Sequence, residues 1–94
     1  MIKGYVYILT NKNFTVLYTG ATKNLKQRID LHREHKGAVF TKKYNAVLLI
    51  YFEEFDDFRD AFTKEKQLKN WHKEWKWNLA KASNPELKDL YLEL

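Results

Sequence analysis

A carboxylate on an apolar helical stripe is the first residue in this chain that calls for chemistry. Phe58, Ala61, Phe62 and Leu68 recur at helical spacing, and Glu65 falls on the same face. Burying an ionised acid is costly unless it is paired, hydrogen-bonded or bound to a cation. Two readings satisfy that condition. One is a ligand for Mg²⁺ at the mouth of a cleft, since that ion often takes one or two protein carboxylates and keeps several waters. The other is a boundary glutamate paired with a Lys or Arg. A second constellation is Arg28 with His32, four residues on and so on one helix face, with Arg33 and Lys36 close by. A guanidinium presents a planar fork of donors to phosphate oxygens, and an imidazole moves a proton near neutral pH, although such a pair also suits a plain solvated face. Tyr7 and Tyr18 lie in two strand-like segments, where phenols either pack or orient and deprotonate a nucleophile. Together these groups form the set that metal-assisted phosphodiester hydrolysis uses. Competing chemistries lack their parts: there is no Walker-type glycine loop, no His/Cys metal cluster and no Gly-x-Ser-x-Gly elbow.

The elements that must position these groups can be read from pattern. Gly4 to Thr10 and Thr15 to Thr19 are rich in β-branched and aromatic residues and flank Asn11-Lys12-Asn13, so they read as a β-hairpin. A turn centred between Lys12 and Asn13 places Tyr7 directly opposite Tyr18. Asn24 is an N-cap for a helix carrying Leu25, Ile29 and His32, running to about Lys36 and stopped by Gly37. Ala38 to Asn45 reads as a basic irregular stretch, and the apolar run Ala46 to Phe52 as a buried central strand. Asp56 or Asp57 caps a helix that begins near Phe58 and breaks near Asn70 to His72. Trp75, Leu79 and Ala82 mark a further helix, interrupted at Asn84-Pro85, and Leu87, Leu90, Tyr91 and Leu94 mark a last short amphipathic one.

The 94 residues are expected to form a single domain, 1–94, with one core and one site. The absence of cysteine excludes disulfides, iron–sulfur clusters and thiol catalysis, and favours a reducing compartment. With no signal-peptide core at the N-terminus and no apolar run of roughly 18–20 residues, the expected location is cytoplasmic. The net charge of +5 is unevenly spread: residues 1–47 carry nine Lys and Arg against Asp30 and Glu34, and residues 48–94 carry eight against ten acids. That polarity fits a polyanionic partner for the first half, or a solvated basic face.

Tyr5-Val6-Tyr7, Tyr18-Thr19-Gly20, Asn24-Leu25-Lys26-Gln27-Arg28 with His32, Glu65 to Trp71, and Asn84 to Leu90 stand in the order in which the GIY-YIG nuclease superfamily carries its motifs. The chain resembles that superfamily, in particular its small stand-alone bacterial members, over nearly its whole length. Tyr5 replaces the glycine of the first motif and Thr19 the isoleucine of the second. Ala21 stands where some relatives have lysine, with Lys23 nearby, and Asn70, Asn78 and Asn84 are all candidates for an asparagine that joins the site in some relatives.

The resemblance implies an α/β (α+β) fold in which a three-stranded antiparallel sheet is flanked by helices. It also implies a nuclease site in which Glu65 holds a single Mg²⁺ or Mn²⁺ and Arg28 positions the scissile phosphate. Tyr7 or Tyr18 would activate or align the attacking water, and His32 would carry a proton or donate a hydrogen bond. A phenol titrates near 10 in water, so a base role needs positive charge beside it. Lys23, Lys26, Arg33, Lys36, Lys42 and Lys43 are the candidate nucleic-acid contacts, with DNA favoured over RNA. The expected function is thus a metal-dependent DNA endonuclease. The alternatives are a non-catalytic nucleic-acid-binding module of the same fold, recruited by a partner or dimerised through Trp71, Trp75 and Trp77, and a plain protein-interaction domain.

Overall fold

The computed structural model describes residues 2–94. Strands β1 (Gly4–Thr10), β2 (Leu17–Thr22) and β3 (Leu48–Phe55) form one antiparallel sheet in the order β2-β1-β3. Helices α1 (Leu25–Arg33) and α2 (Val39–Tyr44) lie between β2 and β3 in sequence, and α3 (Phe58–Lys69) and α4 (Lys73–Ser83) follow β3. Val6 and Ile8 point to one side of β1, into a core with Leu68 of α3 and Ala80 of α4. Tyr7 and Leu9 point to the other, into a core with Leu25 and Ile29 of α1. Paired on both sides, β1 is the central strand, and it buries side chains on both faces.

The apolar run before Phe52 therefore belongs to an edge strand, which corrects the expectation of a central one. A register shift opposite Ile8 and Leu9 explains the missing alternation: Leu49 joins the Tyr7 core while Ile50 and Tyr51 both join the other. The outward main chain of β3 is satisfied by side chains from the C-terminal segment. Asp89 accepts from the Leu49 N–H at 3.1 Å, and the Asn84 amide donates to the Ile50 carbonyl at 3.1 Å. An uncovered edge would leave those groups to water or to another chain.

The hairpin register is also displaced. Tyr7 pairs with Gly20, and Tyr18 with Leu9. The Asn11 side chain accepts from the Thr15 and Val16 N–H groups and so holds a longer loop, delaying β2 to Leu17. Tyr7 and Tyr18 nevertheless share a face, since a shift of two residues keeps the parity. Helix α1 is capped by Asn24 as expected but ends at Arg33, where His35 turns to a φ of 59° before Gly37 is reached. The basic stretch after it is helical, as α2. Asp57 caps α3, accepting from the Arg59 N–H. In α4 the buried face centres on Ala80 rather than on Trp75 and Ala82, both of which are exposed. The last segment is extended apart from a 3-10 turn over Leu90–Glu93, because Asn84 and Asp89 bind its backbone where helical bonds would otherwise form.

Candidate active site

The Tyr7 ring lies across Gly20 on the neighbouring edge strand. A Cβ at position 20 would come within 2.4 Å of both Cζ and the hydroxyl of Tyr7, so the glycine is required for space. Its φ is not positive, so conformational freedom is not the reason. The phenol ends 2.9 Å from Nε2 of His32, and Nδ1 of His32 lies 2.9 Å from the Thr41 hydroxyl. Thr41 donates its single proton to the Ala38 carbonyl, so toward His32 it accepts. His32 therefore carries its proton on Nδ1, and Nε2 accepts from Tyr7. Gly37 makes the room: a Cβ there would lie 2.4 Å from Nδ1.

His32 is fully buried, whereas Arg28 on the preceding turn is exposed. Both imidazole nitrogens are spent within the protein, so His32 is enclosed rather than presented beside Arg28 on a surface face. Burial, reinforced by the positive charge of Arg28, lowers the His32 pKa to about 4. The unfolded chain binds a proton near 6.5 and the folded one only near 4, so this site stabilises fully above pH 6.5 and the contribution is lost as pH falls toward 4. Stability should decline by about 3 kcal/mol across that window, as read by urea unfolding at a series of pH values. The His32 ring resonances should stay unmoved from about pH 8 to about pH 5.5; a titration centred near pH 6.5 would refute the enclosure.

Two further charges act on Tyr7. Burial, followed by Tyr18 and then by the negative charge of Glu65, raises its pKa above the ordinary tyrosine range, while Arg28 pulls it down. The lowering toward neutrality expected from Arg28 is thus outweighed in the folded chain. Glu65 sits on α3, in the layer opposite the Tyr7 core, and its charge acts on the phenol. Its side chain is 16% exposed, and its ion-pair partner is Lys69 at 3.4 Å, one turn on. The stripe predicted for this helix holds for Ala61, Glu65 and Leu68, but Phe62 turns outward. Tyr18 completes the group, its ring centre 6.3 Å from Tyr7 and 5.3 Å from His32, and stacked on Phe40 at 6.0 Å.

The candidate nucleic-acid contacts divide. Arg33 pairs with Asp89 and lies over the Tyr91 ring, and Lys26 binds Asp30 and the Tyr91 hydroxyl, so both tie α1 to the C-terminal segment. Lys36 pairs with Glu34 at 3.4 Å. Lys23, Lys42 and Lys43 are exposed and make no ion pair among the described residues. Of the asparagines, Asn84 is spent on the Ile50 and Lys88 backbone, Asn70 ends α3, and Asn78 is exposed on α4. Trp71 and Trp77 pack partly against the core and Trp75 is exposed. Thr41 as the partner of His32, and Gly37 as the residue that makes room for its ring, carry no local signal in the sequence. Lys69, one helical turn after Glu65, is the Lys or Arg partner that the boundary reading of Glu65 allowed.

Residues 3–78 match the sequence profile described as the GIY-YIG catalytic domain. The chain belongs to the GIY-YIG family. It is 40% identical over 76 residues to a UPF0213 protein of Staphylococcus haemolyticus, covering 81% of this chain and 92% of the relative. To a UPF0213 protein of Pediococcus pentosaceus it is 34% identical over 90 residues, covering 96% and 95%. The solution NMR structure of a UPF0213 protein from Bacillus halodurans superposes with a TM-score of 0.58 at 28% identity, covering 93% of this chain and 92% of that one. Membership of this nuclease-type family accounts for the resemblance of the motifs and for the three-stranded sheet. No helix among the described residues is long and apolar enough to cross a membrane.

Proposed function

We propose that this GIY-YIG domain is a metal-dependent endonuclease that hydrolyses phosphodiester bonds in DNA. The observation that supports it best is one buried phenol: Tyr7 is held by His32, which Thr41 holds in turn, and the charges of both Arg28 and Glu65 act on it. In this reading Arg28, exposed and without an ion-pair partner among the described residues, grips the phosphate to be cut. The Tyr7 hydroxyl donates a hydrogen bond to Nε2 of His32 and keeps its proton, so its oxygen lone pairs remain to accept from the attacking water and aim it. His32 acts through Tyr7, as a positioning residue, because an imidazolium is disfavoured where it sits. Tyr18 forms the wall beside them.

Glu65 is the residue that would hold Mg²⁺ or Mn²⁺. The donor set suits such an ion: one half-buried carboxylate, and no cluster of three or more His, Cys, Asp or Glu among the described residues that would suggest a closed protein cage. Once bound, the ion supplies Lewis-acid stabilisation of charge on the phosphate oxygens.

The test is a screen of labelled duplex, flap, fork and single-stranded DNA, with RNA beside them, in Mg²⁺, Mn²⁺ or excess chelator. Cleavage of DNA in either metal and none in chelator is expected. Cleavage that survives chelation overturns the metal role, and nucleic-acid binding without cleavage of any substrate overturns the enzyme in favour of a binding module.

A further inference from the structure

The β2 side of the molecule carries a groove next to the candidate site that nothing above has used. It measures about 370 Å³, within the range of roughly 300–1,000 Å³ usual for small-ligand pockets. It is lined by Val16 and Leu17 at the start of β2, by Phe40 and Tyr44 of α2, and by Trp71 with Lys73 and Lys76 of α4. It contains aromatic rings, two ammonium groups that make no ion pair among the described residues, Lys73 donating to the Thr15 carbonyl at 2.9 Å, and no carboxylate. The groove joins the site at two points. Phe40 stacks on Tyr18 and stands 4.7 Å from the Tyr44 ring centre. On the other side Lys69, the partner of Glu65, is close enough to Lys76 that its charge, with that of Lys73 and after burial, lowers the Lys76 pKa. Lys42 and Lys43 sit on the same short helix as the two aromatic residues.

We infer that this groove between α2 and α4 holds an unpaired nucleotide of the strand being cut, its base against Tyr44 and Trp71 and its phosphates near Lys73 and Lys76. The chemistry discriminates among occupants. A base inside a duplex is stacked on its neighbours and cannot offer a face to a protein ring, whereas an unpaired base can. A groove meant for an apolar peptide would not gather uncompensated cations, and one meant for free phosphate would not need rings. The track also continues: Lys73 is shared with a neighbouring groove of about 520 Å³ walled by Phe14 and Trp77 and bordered by Lys81, with Glu74 on its rim. A strand lying there would pass Phe40, which stacks on Tyr18 of the candidate site. The inference rests on the nuclease reading solely for where the cut falls.

The test measures binding in chelator, with no cleavage possible through the metal, to a labelled single strand and to a blunt duplex of the same sequence. Tyr44→Ala and Lys76→Gln should each weaken single-strand binding by roughly fivefold or more while leaving the duplex within about twofold, and Tyr44→Phe should restore it. Should Tyr44→Ala unfold, Tyr44→Leu keeps the apolar contact with Phe40 and removes the stacking face. Equal losses on both substrates, or none on either, overturn the groove. A selective loss in a protein that cuts no substrate in any metal would leave the groove standing and remove the nuclease reading.

Discussion

Glu65→Gln is expected to reduce metal-dependent strand cleavage by about a thousandfold or more, with the fold retained. The glutamine has the same shape, and the ion pair it removes is an i,i+4 contact to a Lys69 that is half exposed, worth roughly 0.5 kcal/mol. Unfolding midpoints should therefore barely move. The direction of the electrostatics makes this variant informative. The Glu65 charge raises the Tyr7 pKa, so removing it makes the phenol easier to ionise. If Glu65 mattered only through its effect on the ionisation of Tyr7, the variant would not lose activity. A loss that more metal cannot restore assigns the carboxylate to the ion, and unchanged cleavage would remove Glu65 from the machinery.

The second large effect is expected at Gly20. A methyl group there would meet the Tyr7 ring and hydroxyl at 2.4 Å, and the ring is stiff and enclosed. Gly20→Ala should destabilise the domain by about 1–3 kcal/mol, as overpacking in cores does. It should also cut turnover by roughly a hundredfold, since the phenol must leave His32 to relieve the contact. A double-mutant cycle with Tyr7→Leu isolates the cause. Where the ring has been shortened, the stability penalty of Gly20→Ala should largely vanish. Additive penalties would show that the glycine serves some other purpose.

Much of this arrangement was legible in the residues. Asn24 and Asp57 announce their helices because capping is local chemistry, and Glu65 stands out because a charge on a periodic apolar face is visible without coordinates. The three-stranded sheet followed from the family resemblance and is the architecture found. What escaped depends on contacts between distant parts of the chain. The position of β3 at an edge depends on Asn84 and Asp89, 34 and 40 residues away from the backbone groups they bind. The hairpin register turns on one asparagine side chain, and the state of His32 on Tyr7, Thr41 and Gly37, none of which announces that purpose by type or spacing. The split in charge along the sequence was real, but two of those cations, Lys3 and Arg33, pair with acids that sequence distance conceals, Glu54 and Asp89.

The covering of β3 by Asn84 and Asp89 makes the sheet asymmetric in how it could grow. One margin is sealed by side chains, while β2 forms the opposite margin. A second molecule seeking to extend the sheet would find main-chain partners on the β2 margin, directly beside Gly20 and the lysine-lined groove. Growth of the sheet on that margin and occupation of the groove proposed above would compete for the same ground.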